Sequence, residues 1–169
     1  ILSIYFFWIV ILSLYFFFSE YIKAGGLENG VKFGADTKFY LRQANKIIIG
    51  DASVFDYKSK FGYILFLLPF VYFDLSLKFI VIIQILLTFL SAICLYKITK
   101  KYFCKLAGVI CLALFLLYFP IQIRNFYILT EMLFIDLVII LSYFFVFFKK
   151  KYLPLIVFLL FALISIRPN

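Results

Sequence analysis

The stretch that decides the fold reads FIVIIQILLTFLSAICLY and occupies residues 79–96. It contains no charged residue, and apolar side chains fill nearly all of it. A helix that crosses the roughly 30 Å hydrocarbon core of a bilayer needs about 20 predominantly apolar residues. The stretch therefore predicts a membrane-spanning helix.

Further apolar stretches lie on both sides of this one. They predict four more spans, at residues 1–19, 106–119, 130–148 and 153–166. The whole chain is 67% hydrophobic and 15% charged, whereas a soluble domain is roughly half apolar and a quarter charged. The excess apolar surface must face lipid. The sequence thus predicts one all-α domain over 1–169, a polytopic transmembrane bundle of about five spans.

The lysines predict which side of the membrane each link faces. The short links at 97–105 and 149–151 carry seven lysines, whereas the link at 120–129 carries only Arg124. Because short cytoplasmic loops are enriched in Lys and Arg, we expect both lysine links in the cytoplasm. Residues 20–60, which also hold seven basic residues at lower density, are then external.

Residues 20–78 are predicted to form the first external loop, with helices that lie at the membrane interface. Tyr40, Leu41, Ala44, Ile47 and Ile48 are spaced as one apolar helical stripe, which predicts an amphipathic helix over 36–48 that stops at Gly50. A second apolar stretch, 61–73, contains Pro69 and is too short for a full span.

Composition excludes several functions. The net charge of +9 would suit nucleic acid, but lysines that flank apolar spans explain it better, so no nucleic-acid partner is expected. The absence of histidine excludes histidine catalysis and histidine metal sites. Cys94, Cys104 and Cys111 lack metal-ligand spacing and are expected to be free thiols. No cofactor motif is present, so no cofactor is predicted.

Asp36 is the first candidate for chemistry, and two interpretations compete. It stands where a helix begins, where an aspartate commonly caps exposed backbone N–H groups, worth about 1 kcal/mol. Alternatively, its carboxylate acts as a general base on a substrate hydroxyl at the membrane surface.

Charged residues in or near the later spans are the other candidates. Asp136 lies deep in a predicted span, where a carboxylate usually faces a cavity or a partner. Glu131 lies five positions earlier, on a different helical face, so the two are not expected to form an acid–base pair. Arg124 is either an interfacial anchor, an ion-pair partner of Glu131 or a phosphate ligand, since guanidinium binds phosphate oxygens bidentately. Arg167 is open to the anchor and phosphate interpretations.

Taken in order, these pieces resemble the N-terminal part of GT-C membrane glycosyltransferases, the protein mannosyltransferase-like and RgtA/B/C/D-like families. The resemblance rests on four short motifs and their order, namely GADTKFYL at 34–41, FGYILF at 61–66, LTEMLF at 129–134 and Arg-Pro at 167–168. In the second motif, Ile64 replaces the proline that the family pattern has.

This resemblance implies transfer of a sugar from a polyprenyl-phosphate donor to an acceptor hydroxyl on the extracytoplasmic face. Asp36 corresponds to the acidic residue of the first external loop and is the implied catalytic base. The implied substrate-binding residues are Tyr40, Arg124, Glu131 and Arg167. The implied location is the bacterial inner membrane, with membrane lipid and the lipid-linked sugar donor as partners. Because the family has more spans, we expect the chain to be the N-terminal part of a longer module, inactive alone.

Two other functions fit the same residues. A small transporter or flippase subunit would use the intramembrane carboxylates Asp136 and Glu131 as ion or proton sites. A non-catalytic membrane scaffold would tolerate neutral substitutions at Asp36, Glu131 and Asp136.

Overall fold

Helices dominate the chain. The computed structural model describes residues 3–5, 8, 10, 27–28, 31–32, 36–51 and 60–166. Within these, the α-helices are α1 Thr37–Ile49, α2 Phe61–Tyr72, α3 Lys78–Tyr102, α4 Lys105–Leu117, α5 Phe119–Gln122, α6 Thr130–Val146 and α7 Leu153–Ile166. Short 3-10 helices cover Ile123–Phe126 and Lys150–Tyr152, and Leu27–Glu28 pairs antiparallel with Val31–Lys32. The prediction of an all-α chain is confirmed.

Helix α1 matches the predicted amphipathic helix. Tyr40 and Ala44 are buried, whereas Ile48, at the edge of the predicted stripe, is 39% exposed. Gly50 ends the helix in the left-handed conformation, with φ of 81°, and its N–H donates to the carbonyl of Ile47. A residue with a side chain would be strained at that φ, which explains the glycine stop.

Helix α3 is longer than predicted. It continues to Tyr102 and includes Lys97, Lys100 and Lys101, which the sequence places in a basic loop over 97–105. That loop prediction is wrong: only Phe103 and Cys104 separate α3 from α4. Lysine is a good helix former, and cations in a last turn interact favourably with the helix dipole.

The ends of α3 and α6 meet through these lysines. The Nζ of Lys101 donates to the carbonyl oxygen of Val146 at 2.6 Å and lies 4.8 Å from the ring centroid of Phe147. The two lysine-rich segments therefore lie at the same end of the bundle, as the charge pattern predicts.

The lengths of the remaining helices differ from the predicted spans. Helix α6 ends at Val146 rather than 148, and the expected link at 120–129 is largely helical, whereas α7 has the predicted bounds. Among the described residues, only α3 is a single helix long and apolar enough to cross a bilayer; α4 joined to Pro120–Phe126 across a bend would be a second. The predicted first span lies almost wholly outside the described residues, and the five-span count stays a prediction.

The bundle is apolar outside and partly polar inside. Helix α3 packs between α4 and α6, α7 packs on α6 and α2, and α1 packs on α2. Large apolar side chains of α7 face outward, including Val157, Phe158, Phe161 and Ile164. The fully or almost fully buried residues, in contrast, include polar ones such as Gln84, Thr88, Ser91, Asn125 and Asp136.

Candidate functional site

The starts of three helices meet at the end of the bundle opposite the lysines. Asp36 precedes α1, Lys60 precedes α2, and Glu131 lies in the first turn of α6. The hydroxyl of Thr37 ties α1 to the residues before α6 by donating to the carbonyl of Ile128 at 3.1 Å. We call the polar residues gathered here the Asp36 cluster, which consists of Asp36, Tyr40, Lys60, Tyr63 and Glu131.

Asp36 occupies the N-cap position of α1, but its side chain makes no capping hydrogen bond. Its Oδ2 instead accepts from Lys60 Nζ at 3.3 Å and from the Tyr40 hydroxyl at 3.4 Å. The Asp36 side chain is 55% exposed. The structure thus does not support the capping interpretation and leaves an exposed carboxylate held by a cation and a phenol.

Lys60, the cation that contacts Asp36, has an unusual backbone conformation. Its φ is 70°, in the left-handed region that costs a non-glycine residue about 1 kcal/mol or more. Its Nζ lies 5.4 Å from the ring centroid of Tyr40. Backbone strain at functional sites is common, so this conformation marks the position as a candidate.

The protonation states of these two residues follow from their surroundings. Burial raises the pKa of the Tyr40 phenol, and the carboxylates of Asp36 and Glu131 add to the rise, whereas Lys60 opposes it. Hydrogen bonding with Tyr40 is the largest cause that raises the pKa of Lys60, and Asp36 adds to it. At neutral pH Tyr40 is therefore a neutral hydrogen-bond donor and Lys60 a cation.

Two buried oxygen atoms of the Asp36 cluster have no hydrogen-bond partner among the described residues. The Tyr63 hydroxyl and the Oε2 of Glu131 are buried without a hydrogen bond in the described part of the chain. The Tyr63 ring packs edge-on against Tyr40, with centroids 5.1 Å apart. Leaving such a group unsatisfied costs about 1–3 kcal/mol. These atoms could be satisfied by a polar ligand or by water.

The sequence proposes two arginines as phosphate ligands, and the structure describes one of them. Arg124 lies in the 3-10 helix Ile123–Phe126, and its side chain is exposed. Within the described residues it forms no ion pair with Glu131, so that interpretation is wrong. Arg167 lies outside the described residues. Its neighbour Ile166 lies against Gly62, so α7 ends beside the start of α2.

A second polar group is buried between α3, α6 and the 3-10 helix Ile123–Phe126. Asp136 is fully buried, with Ser91 Oγ 2.6 Å from its Oδ1 and Thr88 Oγ1 2.8 Å from its Oδ2. Thr88 Oγ1 also lies 2.9 Å from Asn125 Oδ1. Asn125 is bonded to Gln122, and Gln122 is bonded to Trp8. We call the whole group the Asp136 network; its members are Trp8, Thr88, Ser91, Gln122, Asn125 and Asp136.

The structure separates the two carboxylates of α6, as the sequence predicts. The charge of Glu131 acts on Tyr40 and Tyr63, whereas Asp136 contacts Thr88 and Ser91. No group of three or more metal-ligating side chains, from His, Cys, Asp and Glu, comes together among the residues described.

Sequence reasoning missed several of these residues. Lys60 precedes the motif at 61–66 and Tyr63 lies within it, but nothing in the local sequence singles out either residue as functional. Gln84, Thr88 and Ser91 share the spacing of one helical face, and that polar stripe within an apolar span is a signal that could have identified the Asp136 network.

Comparison with protein-family models, with curated proteins and with solved structures finds no match to this chain.

Proposed function

We propose that this chain is the N-terminal part of a multi-pass membrane glycosyltransferase of the GT-C type. It transfers a sugar from a polyprenyl-phosphate donor to an acceptor hydroxyl on the extracytoplasmic face of a bacterial inner membrane. The observation that carries the proposal is the exposed Asp36 carboxylate, which is held by Lys60 and Tyr40 instead of capping its helix.

The apolar exterior supports the membrane location. Soluble monomers rarely expose contiguous apolar patches beyond a few hundred Å². Here Leu106, Ile110, Leu114 and Leu117 are exposed along α4, at the spacing of one helical face, and α7 exposes a similar set. Such faces are suited to contact with lipid, as expected if α4 and α7 belong to the five predicted membrane spans.

In the proposed reaction, Asp36 acts as the general base. The acceptor hydroxyl loses its proton to the Asp36 carboxylate as its oxygen bonds to the anomeric carbon of the sugar. The bond from that carbon to the phosphate oxygen breaks, and polyprenyl phosphate leaves with the electron pair. Attack from the face opposite the phosphate inverts the anomeric centre. Lys60 and Tyr40 orient the carboxylate, and Tyr40 also offers its hydroxyl to the substrate.

The remaining residues bind substrate. The exposed Arg124 guanidinium, and Arg167 beyond the end of α7, stabilise the charge on the departing phosphate. Glu131 and Tyr63 have buried oxygen atoms with no hydrogen-bond partner among the described residues, and the Tyr63 ring packs against that of Tyr40. In the proposed complex a sugar hydroxyl is their partner.

The test is Asp36→Asn in the full-length protein, assayed for transfer in membranes. We expect a loss of activity of about 10²-fold or more, the usual contribution of a general base, with normal expression. Asp51→Asn is the matched control, because Asp51 is an exposed aspartate at the other end of α1 and should leave the rate unchanged. Wild-type transfer by Asp36→Asn would exclude the proposal.

A transporter or flippase subunit is the second candidate, and the complete burial of Asp136 favours it. An ion- or proton-coupled transporter requires the carboxylate itself, so Asp136→Asn would stop transport. A scaffold would tolerate both asparagine variants. The two variants therefore distinguish the three functions when transfer and transport are measured in the same membranes. Loss of transfer in Asp36→Asn indicates the glycosyltransferase, loss of transport in Asp136→Asn indicates the transporter, and no effect of either indicates the scaffold.

A further inference from the structure

The direction of each hydrogen bond in the Asp136 network is fixed, because the network ends on one group that can only donate and one that can only accept. The indole Nε1 of Trp8 can only donate, and it lies 3.1 Å from Gln122 Oε1. The carbonyl oxygen of Phe115 can only accept, and it receives Gln122 Nε2 at 2.8 Å. The two contacts together fix the orientation of the Gln122 amide.

The orientation of Asn125 follows from that of Gln122. Gln122 Oε1 can only accept, so the Asn125 group 3.2 Å away must be the Nδ2 donor. Asn125 Oδ1 then faces Thr88 Oγ1 at 2.9 Å. Because a carbonyl oxygen cannot donate, the hydroxyl proton of Thr88 must lie between these two atoms.

Thr88 has then no proton left for Asp136. Its Oγ1 is nevertheless 2.8 Å from Asp136 Oδ2, so the proton in that contact must come from Asp136. The carbonyl of Gln84, 3.1 Å from Thr88 Oγ1, is a further acceptor and supplies no proton. Ser91 Oγ lies 2.6 Å from Asp136 Oδ1 and 2.9 Å from the carbonyl oxygen of Thr88. Because that carbonyl lies inside α3 and accepts a helical N–H, the Ser91 proton is available to Asp136 Oδ1, which suits the carbonyl oxygen of a neutral carboxyl group.

Burial leads to the same protonation state independently. Asp136 is fully buried, and its side-chain partners are the hydroxyls of Thr88 and Ser91. No cation from α3, α6 or the other described elements faces it. An ionised carboxylate without a counter-charge is very costly in an apolar interior and is usually neutralised by a proton.

We propose that Asp136 is a proton-binding site that carries a proton on Oδ2 at neutral pH and donates it to Thr88. This proton completes one continuous hydrogen-bond chain from Trp8 to Ser91. If Asp136 were ionised, Thr88 would have to donate to it, and Asn125 Oδ1 would be left buried without a donor.

The proton therefore positions Asn125, and with it the 3-10 helix Ile123–Phe126 that carries Arg124. Asp136 is thus a positioning residue for Arg124, a consequence that rests on the proposed function. The protonation itself does not rest on it.

The test compares three variants of the full-length protein in lipid nanodiscs at neutral pH. Asp136→Asn keeps the geometry, because its Nδ2 can donate to Thr88 and its Oδ1 can accept from Ser91. Asp136→Leu has a similar size and removes both bonds. Asp36→Asn is the spectroscopic control, since it removes an exposed, ion-paired carboxylate.

Infrared difference spectra provide the first measurement. Wild type minus Asp136→Asn should contain the carbonyl stretch of a protonated carboxyl group, whereas wild type minus Asp36→Asn should contain the bands of an ionised carboxylate. Ionised-carboxylate bands in the Asp136 difference spectrum would overturn the proposal, whether or not the protein transfers sugar.

Thermal unfolding and the emission of Trp8, a member of the network, provide the second measurement. We expect Asp136→Asn to unfold within about 2 °C of wild type with unchanged Trp8 emission. We expect Asp136→Leu to lose about 4 °C or more and to shift that emission. An asparagine variant as unstable as the leucine variant would contradict the proposal.

Discussion

The Asp36 cluster and the Asp136 network each surround one aspartate, but the two aspartates differ in exposure and in the charge of their partners. Asp36 is 55% exposed and paired with the cation Lys60, and polar atoms near it remain unsatisfied. Asp136 is fully buried, has no charged partner in the described chain, and sits in a hydrogen-bond chain that satisfies each of its members.

The difference teaches how to separate reactive from structural polar groups by their hydrogen bonds and exposure alone. A satisfied network gains stability and specificity but has no free capacity to bind a substrate. A site that binds substrate must retain unsatisfied donors, acceptors and exposed charge in the free protein. This criterion supports the proposal that the Asp36 cluster is the reactive one.

The largest expected contrast comes from the same substitution at both aspartates. Asp36→Asn should reduce transfer by about 10²-fold or more while leaving the unfolding temperature nearly unchanged, because an exposed ion pair contributes only about 0–1 kcal/mol. Asp136→Asn should keep transfer within about threefold of wild type, because neutral amide and neutral carboxyl make the same hydrogen bonds. Parallel rate and melting measurements check both, and equal activity losses would remove the distinction between the two regions.

The next largest effect concerns the contact between α2 and α7 at Gly62, two residues after Lys60 of the Asp36 cluster. A Cβ on Gly62 would lie 2.6 Å from Ser165 Cβ and 2.8 Å from the Ser165 carbonyl carbon. Because the backbone of α2 or α7 must move to accommodate the methyl group, Gly62→Ala should destabilise the protein by about 1–3 kcal/mol and shift Lys60 away from Asp36. Thermal unfolding measures the first effect, and the transfer rate measures the second.

Gly108→Ala is the control for this prediction. A Cβ there would lie 3.0 Å from the ring of Tyr96, which can shift, and 3.2 Å from the Tyr96 carbonyl oxygen, so the crowding is less severe than at Gly62. Alanine also favours a helix over glycine by about 1 kcal/mol. We therefore expect Gly108→Ala to be nearly neutral, and an equal loss in both variants would show that the α2–α7 contact is not special.

Much of this architecture could be predicted from the sequence, because helices follow from local patterns. The apolar stripe of α1, its stop at Gly50 and the bounds of α7 all depend on neighbouring residues. The prediction of a basic loop at 97–105 is wrong, because lysine clusters indicate a side of the membrane but do not interrupt a helix.

The two polar groups were predicted only in part, because they depend on contacts between distant segments. Asp36, Tyr40 and Glu131 were identified singly, but nothing local reveals that Lys60 would reach Asp36 with a left-handed backbone. Thr88 and Ser91, the partners of Asp136, lie 48 and 45 residues away along the chain. Their pairing follows from how α3 packs on α6.

A smaller effect tests whether the unsatisfied atoms serve a ligand. Tyr63→Phe removes a buried hydroxyl that has no partner among the residues described, so stability should rise by up to about 1 kcal/mol. If that hydroxyl binds the sugar, the KM for the donor should rise several-fold in the same variant. Gln84→Leu, which removes another buried and unpartnered polar group, should also be stabilising but leave KM unchanged. A stabilised Tyr63→Phe with wild-type KM would leave the hydroxyl without a role in binding.

The smallest expected effect on stability comes from the left-handed residue itself. Lys60→Gly relieves a φ of 70°, which gains up to about 1 kcal/mol, and loses an exposed ion pair worth about 0–1 kcal/mol. The two contributions nearly cancel, so the unfolding temperature should change by about 2 °C at most. Transfer should nevertheless fall several-fold, because Asp36 loses the cation that orients it.

Asp74→Gly separates these contributions, since Asp74 is exposed, has a φ of 51° and lies away from the Asp36 cluster. It should gain the conformational stabilisation with no change in transfer. If Lys60→Gly gains as much stability as Asp74→Gly, the Lys60–Asp36 ion pair contributes nothing to folding. A fall in activity would then identify Lys60 as a residue kept in a strained conformation for its charge alone, as expected of a reactive site.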